Sequence, residues 1–142
     1  MTQKALLQSA GDGTAVPAGY VGEVRNFTSR TISATTTGMT ASLALDTLTP
    51  GRWHIVPNAA AVATAGATSA EVIISTNNSN DATGSIGSYS AANTASLTTG
   101  TWTFQLQNCI LDLSTSQTIY AKCQSTGANR NVTVSGFAIR IA

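Results

Sequence analysis

The chain has 142 residues, a formal net charge of +1 and charged side chains at only 9% of its positions, which fits one domain with a single core. Its polar residues are chiefly 23 Thr and 15 Ser, and β-branched Thr in short, Gly-punctuated runs is typical of all-β domains. Basic residues spread singly argue against a nucleic-acid partner. The lack of about 18 consecutive apolar residues argues against a membrane span, and residues 1–7 contain too few apolar residues for a signal peptide.

The N-terminus is predicted to be an extended arm over residues 1–13, followed by a single β-sandwich domain over residues 14–142. Gly11–Gly13 would end any helical turn in the arm, which has no apolar face to bury on its own domain. The apolar residues Leu6 and Leu7 are therefore candidates for contact with a partner subunit. A frayed terminus is the alternative interpretation.

Two strands are predicted next. After a turn at Val16–Gly19 with Pro at its second position, the side chains of Tyr20–Phe27 alternate as in a strand with two faces. The Thr-rich segment Arg30–Thr36 follows and is predicted to be an edge strand.

The segment around Pro50 predicts a turn with a strand immediately after it. Pro50 presets φ and Gly51 supplies a positive φ, as a type II turn requires. Alternation from Trp53 onwards separates an inward set, Trp53, Ile55 and Pro57, from an outward set, Arg52, His54 and Val56. Because Pro57 has no backbone N–H, we expect this strand to lie at a sheet edge or to be bulged there.

The middle of the chain alternates between apolar runs and polar connections. Ala59–Ala70 is predicted to continue the preceding strand and then to form a loop. Glu71–Thr76 is predicted to be a strand buried on both faces for part of its length. Asn77–Gly84, the most polar segment, predicts an exposed loop before a short strand at Ile86–Tyr89, and Ser90–Gly100 predicts a second loop.

Four further strands are predicted to complete the domain. Thr101–Gln107 and Ile110–Leu113 supply two of them, and Gln117–Ile141 is predicted to be an antiparallel hairpin around a turn at Gly127. The apolar residues of its second half change phase, so a β-bulge is predicted at Ser135–Gly136. The aromatic core is predicted to contain Trp53, Trp102, Phe104 and Phe137.

Eight or nine short strands separated by turn signals predict an all-β fold. An antiparallel β-sandwich of the jelly-roll kind would bury one apolar face of each of two sheets against the other. A surface with so few charges is weakly protected against self-association. We therefore expect a homo-oligomer, a dimer or a trimer, or a place in a larger assembly.

The residues that carry chemistry are few and scattered. No GxSxG-type motif accompanies the one histidine, His54, which we interpret as a surface or interface imidazole. Cys109 and Cys123 lack the spacing of a metal site and are interpreted as buried free thiols, with a cross-strand disulfide as the alternative. Asp81 lies among asparagines, so a weak calcium site is the alternative to a solvated loop. We expect no enzymatic activity, no cofactor and no resident metal.

Three segments resemble domains of tailed-bacteriophage virion proteins. Gly11–Glu23 resembles a segment of tail-fibre, head-fibre and decoration-type domains, Leu48–Trp53 looks like their L-T-x-G-x-W turn, and Thr118–Lys122 looks like their penultimate strand. The resemblance covers the domain from Gly11. It implies a jelly-roll-like, non-enzymatic homo-oligomer that is exposed on a phage virion after synthesis in the host bacterial cytoplasm.

An arm of about 10 residues spans at most about 35 Å when fully extended, and the sequence shows no coiled-coil or β-helical stem of the kind found in the longer fibre and needle proteins. We therefore expect a capsid decoration or cement protein that contacts the major capsid protein or another virion protein. The candidate contacts are Leu6, Leu7, Val16, Tyr20, Arg52, His54 and Val56. The alternative is a tail or collar knob domain that binds a host receptor or glycan through loop residues Asn77, Asn78, Asn80 and Asp81.

Overall fold

The computed structural model describes residues 18–42, 44–92 and 100–142. Within these ranges it contains eleven strands: β1 (Val24–Asn26), β2 (Arg30–Ala34), β3 (Thr40–Ala41), β4 (Asp46–Leu48), β5 (Gly51–Val62), β6 (Ser69–Ser75), β7 (Ser85–Ala92), β8 (Thr101–Gln105), β9 (Cys109–Leu113), β10 (Gln117–Thr126) and β11 (Arg130–Arg140). The predicted arm and its boundary at residue 13 lie outside the described residues. The described part of the chain contains no helix long and apolar enough to cross a membrane.

The strands form two antiparallel sheets. In the first sheet, β1 and β2 pair with β11, β11 pairs with β5, and β5 pairs with β8 and β9. In the second sheet, β3 and β4 pair with β10, β10 pairs with β6, and β6 pairs with β7. Each sheet buries one face against the other, which makes the layers of a β-sandwich.

The strand order is that of a jelly roll. β1 with β2, β3 with β4, and β8 with β9 each lie end to end along one neighbour, so the strands occupy eight sheet positions. Numbered along the chain, these positions run 1-8-3-6 in the first sheet and 2-7-4-5 in the second. The predicted all-β, jelly-roll-like sandwich is therefore confirmed.

The predicted C-terminal hairpin at Gln117–Ile141 is wrong. Its two strands do not pair: β10 pairs with β6 in the second sheet, and β11 pairs with β5 in the first. The turn that contains Gly127 therefore carries the chain from one sheet to the other. Alternating strands on either side of a Gly turn indicate a reversal of direction, but they do not say whether the two strands stay in one layer.

The predicted bulge at Ser135–Gly136 is also wrong. The pairing of β11 with β5 continues without interruption from Val132 to Arg140. The inward side chains of β11 include Val132, Val134 and Ala138, all buried. Phe137 and Ile139 alternate with them and lie on the outer face, where both are partly buried. The bulge was predicted on the assumption that every apolar residue of the strand faces the core. In β11 this assumption is wrong, because Phe137 and Ile139 face outward.

Pro57 lies inside the first sheet, not at an edge, because β5 pairs on both of its sides. Its carbonyl oxygen accepts a hydrogen bond of 3.2 Å from the Leu106 amide, so its nitrogen faces the same side, at the gap between β8 and β9. The missing N–H donor therefore breaks no ladder bond. On the other side is Gly136, whose φ is +138° and where a Cβ would lie 2.3 Å from the carbonyl oxygen of Val56.

The core lies between the sheets, and Trp53 is its largest fully buried side chain. Trp102 packs against the margin of this core, whereas Phe137 lies outside it, which corrects the predicted aromatic set. The side chain of Phe104 lies outside the described residues. The inward set of β5 is confirmed, since Trp53, Ile55 and Pro57 are all buried.

An ion pair joins the two sheets along one side of the sandwich. Arg25 of β1 donates two hydrogen bonds of 2.8 Å, from Nε and Nη2, to the carboxylate of Asp46 in β4. The hydrogen bond from Arg25 lowers the pKa of Asp46 below its usual value. Both side chains are partly exposed, which limits the strength of the pair through solvent screening.

We predict that Asp46→Asn lowers the free energy of unfolding at neutral pH by about 1 kcal/mol, the upper end for a partly exposed pair with bidentate geometry. Because the folded-state pKa of Asp46 is lowered, its contribution is present above about pH 4 and is lost as pH falls through the folded value. The variant and the wild type should therefore converge in acid when unfolding is followed in urea.

Asp112→Asn is the matched control, because the Arg52–Asp112 pair has an N–O distance of 3.3 Å and side chains that are 52% and 70% exposed. We expect almost no change in stability from it. Equal losses in the two variants, or a loss in Asp46→Asn that persists in acid, would contradict the assignment.

Candidate functional site

The outer face of the first sheet is divided into two halves. One half is mostly polar. It carries Thr31, Ser33, Thr101, Thr103, Gln105, Asn131 and Thr133, with Ala60 and the exposed Val62 as its apolar members. The other half, which we call the apolar patch, carries Val24, His54, Val56, Ile110, Phe137 and Ile139. Jelly-roll sheets are usually amphipathic, so an apolar half on the solvent side is the feature of this sheet that requires an explanation.

One row of the apolar patch crosses four neighbouring strands. Val24, Ile139, His54 and Ile110 are successive cross-strand partners. Paired residues project on the same side of a sheet with their Cβ atoms about 5 Å apart, so the row is continuous. Its two ends are the most open, with Val24 53% and Ile110 55% exposed.

His54 lies in the middle of this row, partly buried between Ile139 and Ile110. Its cross-strand neighbours supply neither a carboxylate nor a nucleophile. At the margin of the patch, Arg52 and Asp112 neutralise each other in their ion pair. The charges at the margin of the patch therefore cancel. In the described part of the chain, no group of three or more His, Cys, Asp or Glu side chains is placed to hold a metal ion.

The structure brings together part of the predicted contact set. Arg52, His54 and Val56 lie on the outer face of β5, as their alternation predicts. Tyr20 is 51% exposed and lies in the turn before β1. Leu6, Leu7 and Val16 lie outside the described residues.

The rest of the patch was not among the predicted contacts, namely Val24, Ile110, Phe137 and Ile139. Alternation does contain a signal for the last two, because Phe137 and Ile139 are out of phase with Val132 and Val134. An uninterrupted strand would have placed them on the outer face. The pairing that completes the patch joins strands far apart in sequence, which alternation does not reveal.

The part of the second sheet's outer face around Lys122 is covered by residues 76–84, which we call the β6–β7 loop. Beneath the loop, the Lys122 side chain of β10 is fully buried. Its Nζ donates hydrogen bonds of 2.8 Å to the carbonyl oxygens of Asp81 and Thr83 and one of 3.3 Å to Ser79 Oγ. A buried ammonium group is tolerable only with such partners, so Lys122 ties the loop to the sheet.

Within the β6–β7 loop, Asp81 collects further hydrogen bonds. Its Oδ1 accepts from Ser79 Oγ at 2.6 Å and from the Thr83 amide at 2.9 Å. The hydrogen bonds from Ser79 and Thr83 lower the pKa of this carboxyl group. Of the oxygens that suggested a weak calcium site, Asp81 Oδ1 lies 3.5 Å from the Lys122 ammonium, so this carboxylate already has a cation beside it.

The predicted loop residues Asn77, Asn78, Asn80 and Asp81 are all exposed. Two of the asparagines have structural contacts: Asn77 Oδ1 accepts from the Ser79 amide at 2.8 Å, and Asn80 Oδ1 accepts from the Ala41 amide at 3.0 Å. The loop therefore presents its amides from an ordered framework. The second predicted loop, Ser90–Gly100, falls mostly outside the described residues, apart from the end of β7 and Gly100.

Cys109 and Cys123 are free thiols, as predicted, but only Cys123 is buried, and Cys109 is partly exposed. Cys109 belongs to β9 in the first sheet and Cys123 to β10 in the second, so the disulfide alternative is wrong. Burial raises the pKa of both thiols. Thiols whose thiolate is disfavoured in this way are poor nucleophiles.

Arg130 is a second buried cation, only 4% exposed. Its Nε donates to Ser125 Oγ at 3.2 Å and its guanidinium lies 5.5 Å from the ring centroid of Trp102, while Nη1 and Nη2 have no hydrogen-bond partner. Burial lowers its pKa. Because both terminal nitrogens are shielded from solvent, we assign this side chain a packing role at the end of the sandwich.

No protein-family model and no curated protein matches this sequence. Among solved structures, the chain is similar to a structure of infectious bursal disease virus Gt strain, with a TM-score of 0.43 and 13% identity over 84% of this chain and 33% of that one. It is also similar to the infectious bursal disease virus VP2 subviral particle, with a TM-score of 0.39 and 14% identity over 83% of this chain and 32% of that one.

The chain spans about a third of the length of these two structures. Both come from virus or subviral particles, and neither is named as a phage protein. Since both TM-scores are below 0.5, the jelly-roll assignment rests on the strand order within this chain.

We predict that Lys122→Met frees the β6–β7 loop. Met keeps an apolar stem of similar length but donates no hydrogen bond, so the free energy of unfolding should fall by about 2 kcal/mol. Amide hydrogen exchange in residues 76–84 should accelerate while exchange in β5 and β11 stays slow.

Asp81→Asn is the control for the backbone contacts of Lys122. It removes the carboxylate 3.5 Å from Nζ but leaves both carbonyl acceptors in place, so its effect should be much smaller. Unchanged exchange in the loop of Lys122→Met would show that other contacts hold it.

Proposed function

We propose that this chain is a non-enzymatic structural protein of a virion, which decorates or cements a phage head by bridging neighbouring capsid subunits. The observation that carries the proposal is the difference between the two outer faces. The β6–β7 loop covers the second sheet's outer face around Lys122, whereas the first sheet exposes the apolar patch. Contiguous apolar surface on a folded domain is typical of a contact with another protein.

The size of the outer face fits such a contact. Four strand positions about 4.8 Å apart and the eleven residues of β11 give a face of roughly 19 by 36 Å, or about 700 Å². A standard protein interface takes about 800 Å² from each partner. The apolar patch covers only about half of the face, so we infer that the polar half also takes part, through hydrogen bonds from its hydroxyl and amide groups.

The chemistry of the face indicates an uncharged, partly apolar partner. The charges at the margin of the apolar patch cancel, and its polar surroundings carry Thr, Ser, Asn and Gln instead of ions. A neighbouring virion protein, the major capsid protein first of all, would meet this requirement. The resemblance of Leu48–Trp53 and Thr118–Lys122 to phage virion domains supports that class of partner.

Cementing follows from binding linkage. A protein that binds the assembled lattice and not the separate subunits stabilises the lattice by the free energy of its binding. Particles stripped of this chain should therefore lose their contents at lower temperature, or in low salt or chelator, than complete particles do. Equal survival of stripped and complete particles would eliminate the cement role.

A second candidate function is a tail or collar knob domain that binds a host glycan or receptor. The observation in its favour is the exposed set of amides on the β6–β7 loop, held in place by Lys122. Ordered amides lose little conformational freedom when they bind a polar ligand. Purified protein that blocks host adsorption, with the block lost in Asn78→Ala, would favour this function over the first.

We predict that Ile110→Glu weakens binding to stripped particles by roughly thirtyfold, or about 2 kcal/mol, because a carboxylate replaces apolar area that the partner covers. The side chain is 55% exposed, so the fold should not change. Quantitative rebinding of labelled protein to stripped particles measures the effect.

Ala82→Glu adds the same charge to the exposed β6–β7 loop on the opposite face and is the control. It should bind like the wild type. The reverse result, with Ala82→Glu impaired and Ile110→Glu unaffected, would move the contact to the second sheet.

A further inference from the structure

The strand β7 is the longest sheet edge in the described part of the chain. The other three edges are interrupted: β1 and β2 are separated by residues 27–29, β3 and β4 by residues 42–45, and β8 and β9 by residues 106–108. By contrast, β7 runs from Ser85 to Ala92 without a break. It pairs with β6 on one side, and none of the described strands pairs with its other side.

Beyond the register shift at its start, this edge lacks the charges and the proline that usually protect an edge strand from pairing with another chain. Natural edge strands are blunted by charges, by proline or by being short. Most strands of the interrupted edges follow this rule, since β3 has only two residues and charged residues occur in β1, β2, β4 and β9. The exception is β8, an uncharged strand of five residues. The sequence of β7, SIGSYSAA, contains no charged residue and no proline. Its unpaired backbone groups therefore form a template for an added strand.

We propose that β7 pairs antiparallel with β7 of a second copy of this chain, about a twofold axis. The second sheets of the two copies would then join into one continuous sheet of eight strand positions. In an isologous contact of this kind, the strand pairs with the same strand of the other copy. A charged residue on the strand would therefore lie near a like charge across the twofold axis, which is unfavourable. The absence of charge from β7 makes this particular partner acceptable.

The part of β7 that is regular enough for pairing is its second half. The register of β7 with β6 shifts between Ile74 and Ser75, opposite the start of β7. Beyond the shift, six consecutive residues, Gly87–Ala92, are in regular register with β6. A bulge locally bends and twists a strand, so we assign the contact between copies to Gly87–Ala92.

This contact is independent of the proposed function, because β7 belongs to the second sheet and the apolar patch lies on the first. The two can therefore fail separately. A variant that does not dimerise but still binds particles would leave the proposed shell contact intact, and the opposite result would leave the dimer intact.

The test uses paired charges along β7. In the variant Ser88→Lys/Ser90→Lys, like charges would meet across the axis, so we expect dimerisation at least about tenfold weaker than in the wild type. The variant Ser88→Glu/Ser90→Glu should be impaired in the same way. An equimolar mixture of the two should form heterodimers, because opposite charges then face each other. Sedimentation equilibrium over a range of concentrations measures all three samples.

The mixing step distinguishes a lost contact from a lost fold, since misfolded chains do not recover when mixed. Thr36→Lys/Thr37→Lys adds two charges at exposed positions outside any strand and should dimerise like the wild type. The proposal is overturned if the wild-type chain is monomeric at every concentration. It is also overturned if the Ser88→Lys/Ser90→Lys variant self-associates normally, or if mixing fails to restore the dimer.

Discussion

The structure depends on the register between β5 and β11 at the centre of the first sheet. Nine consecutive residue pairs join the two strands, and each pair assigns one side chain from each strand to the same face. A shift of a single residue would move Trp53 into solvent and carry His54 and Val56 into the core. The composition of the apolar patch is therefore a direct consequence of this register. Gly136 allows the two strands to pair in this register, because a Cβ at this position would collide with the carbonyl oxygen of Val56 on β5.

The outer faces of the two sheets differ in how far they are covered by the chain itself. The second sheet covers part of its outer face with a loop and buries a lysine beneath it, at a cost that the hydrogen bonds from the Lys122 ammonium to loop oxygens offset. The first sheet leaves apolar side chains partly open to solvent. In a chain with so few charges, a face of this kind favours association, and the proposed function assigns it to a neighbouring virion protein.

The sequence predicts much of the fold because alternation and turn residues act locally. The two faces of β5, the β6–β7 loop and the all-β class all follow from the residues in each segment. The hairpin prediction fails because alternation does not say which sheet a strand joins. The bulge prediction fails because two apolar residues of β11, Phe137 and Ile139, lie on the outer face instead of the core face. The prediction that Pro57 lies at a sheet edge or bulge is wrong because the side of Pro57 that lacks an N–H faces the gap between β8 and β9. Both of these strands are distant from Pro57 in sequence, so the gap could not be predicted locally. Part of the candidate site could be predicted, because Arg52, His54 and Val56 lie on the same face of one strand. The other residues of the patch could not be predicted, because strand pairing brings them there from distant parts of the sequence.

The most direct test of the central claim is a density map of the assembled particle at side-chain resolution. The account predicts that the outer face of the first sheet lies against the shell, with Ile110, His54 and Ile139 covered by a neighbouring subunit. The β6–β7 loop should then point away from the shell. A map in which the loop contacts the shell and the apolar patch faces solvent would contradict the account.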